Sequence, residues 1–184
     1  MSLARATIGL LAVVGCTACL DHEVIDDGTA PPTSFVALQR DFRGFEGWHR
    51  FQLAGEAFDG HPIAPRTVYV NRLPAPGETE LSVGTIVLKT LEDGERSNWL
   101  IHAMAKRGGG FNADGARGWE WFELVLSTDD EPVIVWRGLG PPENHGYTVI
   151  GARPDDMRTD GDCNGCHAGA IATDYVHTPE VFSP

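Results

Sequence analysis

Residues 84–106, which read GTIVLKTLEDGERSNWLIHAMAK, contain the pattern that decides the fold class. Residues 84–90 are rich in β-branched side chains and favour a strand. The Asp-Gly pair within residues 92–96 is typical of a hairpin turn. Residues 98–106 then alternate between two faces: Trp99, Ile101, Ala103 and Ala105 on one, and Leu100, His102, Met104 and Lys106 on the other. The stretch predicts two antiparallel strands joined by a hairpin.

Further extended segments flank this hairpin. Residues 48–53 and 66–71 precede it, residues 119–126 follow it, and residues 132–136 would add an edge strand. Aromatic and β-branched residues recur in these segments, and turn-forming residues separate them. We therefore predict a mainly β protein of the α+β type, with an antiparallel sheet and flanking short helices.

Two helices are expected outside the sheet. A Thr-Ser pair at 33–34 can begin the first helix, and the glycines at 44 and 47 would end it. Between them, apolar residues recur at the three- and four-residue spacing of a helical stripe. These residues are Phe35, Leu38, Phe42 and Phe45. The second helix, a short one, is expected at 153–158 within a Gly- and Pro-rich loop at 138–161.

Near the C-terminus, residues 162–167 read Asp-Cys-Asn-Gly-Cys-His, which contains the attachment pattern of a c-type haem. Cys163 and Cys166 can each form a thioether with one vinyl group of the porphyrin. His167 is then placed to bind the iron as the proximal ligand. We predict one c-type haem here. A redox dithiol, half of a zinc site and a structural disulfide are the other interpretations of this spacing.

Composition limits the classes of partner. The chain has 184 residues and a formal charge of −12, from 26 acidic and 14 basic residues. Such a charge argues against nucleic acid or an anionic membrane surface as a partner. An acidic surface could steer a basic redox partner, and it could equally serve solubility alone.

The first 20 residues are predicted to be a signal peptide. Arg5 supplies a short positive region, and an apolar run follows at residues 6–14. The next residues, Val-Val-Gly-Cys at 13–16, resemble a bacterial lipobox, in which Cys16 would be lipidated. Ordinary cleavage after Ala18 is the alternative. Both routes export the chain, and covalent attachment of a c-type haem also takes place outside the cytoplasm.

Residues 21–33 are acidic and rich in turn formers, which predicts a flexible tether. Residues 34–184 would then form the haem domain. No apolar stretch of about 18 residues follows the leader, so contact with a membrane is expected through the lipid anchor only. The expected location is the periplasm of a bacterium, or its outer membrane for a lipid-anchored form.

Residues from about 35 to 182 resemble the cytochrome P-460 family and its relative cytochrome c′-beta. The most distinctive matches are the Gly-Thr-x-x-x-Lys string at 84–89 and the Asp-Tyr-Val tail at 174–176, which follows the haem motif. Further matches are RTVYV at 66–70, MAK at 104–106 and GWEWF at 118–122. The resemblance implies an antiparallel sheet flanked by helices, commonly assembled as a homodimer.

The resemblance also implies roles for individual residues. In cytochrome P-460 the lysine of the Gly-Thr-x-x-x-Lys string is bonded covalently to a meso carbon of the haem, and the matching residue is Lys89. Arg66 matches a distal arginine that can hydrogen-bond a ligand on the iron. An ordinary solvent-facing lysine and a surface ion pair are the corresponding structural interpretations of these two residues.

The function implied is oxidation of hydroxylamine, or of a related small nitrogen species, at a five-coordinate haem iron held by His167. Electrons would pass from the haem to a redox partner cytochrome. The alternative is a protein similar to cytochrome c′-beta, which binds nitric oxide or carries electrons without turnover. The sequence leaves open whether the chain is an enzyme.

Two positions depart from the family pattern. The family carries a distal carboxylate on the strand that matches residues 99–106, and His102 stands near that place here. A histidine can accept protons near neutral pH, and it can also ligate iron or be a buried structural residue. His177 replaces the usual phenylalanine after the Asp-Tyr-Val tail.

Overall fold

The computed structural model of the chain describes residues 33–53, 65–92, 94–141 and 163–183. Within these ranges, six strands form one antiparallel sheet, and each strand pairs with the next along the chain. The strands are β1 His49–Leu53, β2 Arg66–Val70, β3 Ile86–Leu91, β4 Leu100–Lys106, β5 Trp119–Leu126 and β6 Pro132–Gly138. The predicted mainly β, antiparallel fold is confirmed.

The strand boundaries differ slightly from those predicted, for local reasons. β3 begins at Ile86 because Gly84 has a φ of 91°, which is outside the extended region. β4 begins at Leu100 because residues Arg96–Asn98, in the connection between β3 and β4, form a 3₁₀ turn. β6 runs to Gly138, two residues beyond its predicted end.

The predicted helix after residue 33 is wrong. Residues 35–38 belong to no helix, and two short 3₁₀ helices follow them, at Gln39–Phe42 and Phe45–Gly47. Long-range backbone pairing overrides the local apolar periodicity, since the Phe35 N–H donates to the Arg107 carbonyl at 2.9 Å. Phe42 and Phe45 are nevertheless fully buried, so part of the predicted stripe does pack into a core.

The C-terminal segment contains the short helix α1, Cys163–His167, followed by 3₁₀ helices at Ala168–Thr173 and Pro179–Phe182. The predicted signal peptide with Cys16, residues 21–32 of the tether and the helix predicted at 153–158 lie outside the described residues. Among the residues that are described, no helix is long and apolar enough to cross a membrane.

The sheet has two apolar faces because side chains alternate along each strand. The face that we call the motif face carries Val68, Val87, Met104, Trp121 and Trp136. It packs against Cys163, Val176 and Val181 of the C-terminal segment. The opposite face carries Tyr69, Leu88, Ile101 and Phe122 and packs against Ala37, Phe42 and Phe45 of the N-terminal segment. The C-x-x-C-H motif is therefore held against the motif face, because Cys163 is buried there and the segment that follows it along the chain packs on the same face.

Candidate functional site

Helix α1 presents the three residues of the C-x-x-C-H motif in different environments. Cys163 is buried against the motif face, whereas Cys166 is exposed. The half-buried His167 ring packs against the Trp121 ring, with their centroids 4.6 Å apart. On another side it contacts the His177 ring, at 4.9 Å. The imidazole is thus held between two aromatic neighbours.

One nitrogen of His167 is engaged by the backbone. Its Nδ1 atom lies 2.6 Å from the carbonyl oxygen of Tyr175. A carbonyl oxygen can only accept, so Nδ1 carries the proton and the Nε2 lone pair is left for a metal ion. Burial lowers the pKa of His167 to about 4, against the opposing effect of the Tyr175 hydrogen bond. The ring is therefore neutral at pH 7, as a metal ligand must be.

A row of side chains crosses the motif face from strand to strand. Lys89 of β3 lies opposite His102 of β4, and His102 lies opposite Glu123 of β5. Directly opposite residues in antiparallel strands point to the same face. Glu123 in turn lies opposite Trp136, and its carboxylate accepts a short hydrogen bond from the indole Nε1–H of that residue. A cation, an imidazole and a carboxylate therefore occupy consecutive positions of one row.

Lys89 lies in an environment that changes the chemistry of its amine. Burial, together with the smaller effect of the neighbouring Arg66 guanidinium, lowers the pKa of its amine to about 8. The Cys166 and Cys163 thiols act on Lys89 in the opposite direction, and Lys89 contributes to the lowered pKa of His167. The ammonium group is thus within electrostatic range of Arg66 and of the whole motif. A substantial fraction of Lys89 is a neutral, nucleophilic amine near pH 8.

Arg66 is the first residue of β2 and is 7% exposed. It lies two residues from Val68, which is directly opposite Lys89, so Arg66 belongs to the motif face. The structure therefore brings together Arg66, Lys89 and the motif, and it places His102 beside Lys89. Cys16 lies outside the described residues.

Asn164 has a structural role that the sequence analysis did not predict. Its side-chain oxygen accepts hydrogen bonds from Trp121 Nε1 at 3.0 Å, Asn112 Nδ2 at 2.7 Å and the Ala116 N–H at 3.1 Å. A Cβ added at Gly115 would lie 2.5 Å from the Asn164 amide carbon, so this loop approaches α1 closely. Asn164 therefore fixes α1 against the loop between β4 and β5 and against β5.

Asp174 was noted in the sequence only as part of the Asp-Tyr-Val tail. Its carboxylate is 5% exposed and accepts hydrogen bonds from Lys106 Nζ at 2.5 Å, the Leu81 N–H at 2.9 Å and Trp119 Nε1 at 3.4 Å. The distinctiveness of that tail was the signal that could have pointed to it. His177, which lacked motif support, also contacts the site, since its Nε2 lies 3.0 Å from the Cys166 carbonyl oxygen.

The residues present fit a c-type haem. Two thiols three positions apart lie on one short helix beside an imidazole whose Nε2 lone pair is left for a metal. The adjoining sheet face supplies an apolar surface, with a lysine and an arginine at its polar positions. Among the described residues, no group of three or more His, Cys, Asp or Glu side chains is arranged to hold a metal ion.

Comparison with protein-family models, curated proteins and solved structures found no match.

Proposed function

We propose that this chain is a c-type haem protein of the cytochrome P-460 type, which oxidises hydroxylamine or a related small nitrogen species. The observation that carries the proposal is the position of Lys89. Its amine has a pKa lowered to about 8 and interacts electrostatically with Cys163, Cys166 and Arg66. A lysine held in this way beside a haem-attachment motif is suited to a third covalent link with the macrocycle.

The residues that would hold the haem follow from the motif. Cys163 and Cys166 would form the two thioethers, and His167 would be the proximal ligand through Nε2. Lys89 would be bonded to a meso carbon in place of one hydrogen on each atom, with two protons released and two electrons passed to an oxidant of the peroxide class. When bound, the haem supplies a redox-active iron that withdraws electrons from the substrate, and a lysine link would alter its electronic properties.

The protein's own side chains would bind the substrate and accept its protons. The Arg66 guanidinium can donate hydrogen bonds to a small polar ligand. Oxidation of hydroxylamine releases protons together with electrons, so a proton acceptor beside the ligand is required. His102 can take that role, and Glu123, directly opposite it, can take the proton onward. This polar row favours an enzyme over a passive carrier.

The second candidate is a protein similar to cytochrome c′-beta that binds nitric oxide or carries electrons without turnover. Val87 and Met104 favour it, because both are buried on the motif face and lie opposite each other, next to the Lys89 and His102 pair. Apolar side chains at these positions would suit a small neutral ligand. The state of Lys89 separates the two candidates.

The resemblance and the leader add three further proposals. The chain is exported and anchored by a lipid on Cys16 in the periplasm or at the outer membrane, it passes electrons to a partner cytochrome, and it assembles as a homodimer. The formal charge of −12 supports a partner with a basic docking surface.

Absorption spectra of the reduced protein test the proposal, with the full chain produced in a host that attaches c-type haem. Wild type, Lys89→Ala and Lys89→Arg are compared, because arginine keeps the positive charge but removes the primary amine. We expect a strongly red-shifted Soret band in the wild type alone. An ordinary c-type spectrum in all three would reject the lysine link and favour the second candidate. Absence of any Soret band would reject both.

A further inference from the structure

We propose that Asp174 is a positioning residue for His167. It holds the turn whose next carbonyl, that of Tyr175, accepts the His167 Nδ1–H. The inference rests on the proposed function only in that His167 binds the haem iron. It adds Asp174 as a residue that controls the orientation of the His167 ring and the electron density on its Nε2 atom.

The Asp174 carboxylate has a fixed position relative to the sheet. Its donors come from β4 (Lys106), from β5 (Trp119) and from the loop before β3 (Leu81), at 2.5, 3.4 and 2.9 Å. Lys106 is itself fixed, since its ammonium lies 5.1 Å from the Trp119 ring centroid and 3.3 Å from the Arg117 carbonyl oxygen. The charge-assisted bond is buried, with the two side chains 4% and 12% exposed.

The turn at Asp174 and Tyr175 has an unusual backbone conformation. Both have left-handed conformations, with φ of 49° and 66°. Non-glycine residues adopt this conformation only at a cost in free energy, so the turn persists where other contacts offset the strain. The Tyr175 N–H donates to the Ala170 carbonyl at 2.8 Å, and the Asp174 side chain accepts the hydrogen bonds that join the turn to the sheet and to the loop before it.

The same turn contacts His167 through its backbone. Because the two left-handed residues reverse the chain, the Tyr175 carbonyl returns to within 2.6 Å of His167 Nδ1. A hydrogen bond at Nδ1 fixes the tautomer and the ring orientation and makes Nε2 a stronger donor to a metal ion. A stronger donor stabilises oxidised iron relative to reduced iron. Loosening Asp174 should therefore weaken the ligand without removing it.

The experiment compares the full-length holoprotein as wild type, Asp174→Asn and Glu120→Gln. Glu120 is a matched control: it is 3% exposed and accepts from Arg137 at 2.8 and 2.7 Å, but it lies on β5 facing away from the motif. Thermal midpoints, the iron–histidine stretching frequency of the ferrous protein and the reduction potential are measured. We expect both variants to lose stability, but only Asp174→Asn to lower the stretching frequency and make the potential more positive.

Two outcomes would overturn the proposal: no change of frequency and potential in Asp174→Asn, or equal changes in Glu120→Gln. If Asp174→Asn does not fold, the double variant Asp174→Asn/Lys106→Met, which leaves no unpaired buried ammonium, takes its place.

If the wild type carries no haem, the proposed function fails, but Asp174 can still be tested. Nitrogen-15 spectra of His167 in the haem-free chain should then show the Nδ1–H tautomer in wild type and Glu120→Gln, and a mixture of tautomers in the Asp174 variant. Identical tautomers in all three chains would reject the inference.

Discussion

Lys89 and His102 lie directly opposite each other on the adjacent antiparallel strands β3 and β4. The Cβ atoms of such a pair are about 4.5–5.5 Å apart, so the two side chains share one environment on the motif face. The register of a single hairpin therefore brings a buried amine and an imidazole to the same site. It also places both next to the Glu123–Trp136 pair across β5 and β6.

The first prediction concerns the pH dependence of stability in the haem-free protein. The pKa of Lys89 is lowered from 10.5 to about 8 in the folded chain, so the unfolded chain binds more protons between these values. The free energy of unfolding should therefore rise with pH across this window. Below about pH 8 the buried ammonium should lower it by its full effect, on the order of 3 kcal/mol. Lys89→Met should be more stable than wild type at pH 7 and should lack the rise. Urea unfolding at pH 7 to 10.5 measures both.

Lys106→Met is the control for this prediction. Lys106 pairs with Asp174, so its removal should destabilise the protein at pH 7. A Lys89→Met variant that is less stable than wild type at pH 7 would contradict the buried-charge interpretation.

The second prediction concerns the proton acceptor. If His102 accepts protons from the substrate, His102→Gln should lower the turnover of hydroxylamine by roughly 10²-fold or more, because general-base catalysis contributes about that much. Its haem spectrum should be unchanged. Glu123→Gln in parallel shows whether the carboxylate takes part. Full turnover in His102→Gln with loss in Glu123→Gln would assign the role to Glu123.

The third prediction concerns the attachment of α1. Asn164→Ala removes the acceptor for Trp121, Asn112 and Ala116, and an unsatisfied, partly buried donor costs about 1–3 kcal/mol. We expect a loss of about 2–4 kcal/mol in the free energy of unfolding, together with a lower yield of attached haem. Asn164→Asp keeps an accepting oxygen and should lose much less. If the two variants lose the same free energy of unfolding, the amide nitrogen of Asn164 stabilises the fold and the oxygen does not.

The fourth prediction concerns the loop after β4. A Cβ at Gly108 would lie 2.7 Å from Val83 Cγ2 and 2.8 Å from the Thr33 carbonyl oxygen, at a φ of 69°. Gly108→Ala should therefore cost about 1–2 kcal/mol for the backbone conformation and about 1–3 kcal/mol more for the overlap. Gly110 has a φ of 74°, and a Cβ added there would have no other atom within 4 Å. Gly110→Ala therefore measures the cost of the backbone conformation without any overlap. Similar midpoints of denaturation for the two variants would rule out the overlap.

The strands were predictable because each is defined by its own local pattern. Alternation in β4 and β-branched content in β3 do not depend on distant residues, and both strands form close to where the sequence predicts them. The helix expected after residue 33 was wrong for the opposite reason. Its apolar spacing was helical, but the backbone of Phe35 pairs with Arg107, 72 positions away (107 − 35), and that pairing prevails.

The site was predictable in part. The spacing of Cys163, Cys166 and His167 signals haem attachment in the sequence itself, but nothing local reveals what holds these residues in place. Asp174 and Lys106 are 68 positions apart, and Asn164 and Trp121 are 43 apart. Only the packing of the C-terminal segment on the sheet brings these pairs together.

The sequence by itself determined the type of structure, and it predicts the chemistry of haem attachment. Side-chain alternation specifies strands with two faces, and a covalent motif needs only the spacing of its own residues. The tertiary structure alone decided that Lys89 faces His102 and not solvent, that its amine is buried beside Arg66, and that Tyr175 returns to His167. Each of these three relationships depends on strand register or on burial between distant segments. Register and burial are set by the free energy of the whole fold, so no single segment of the sequence reveals them.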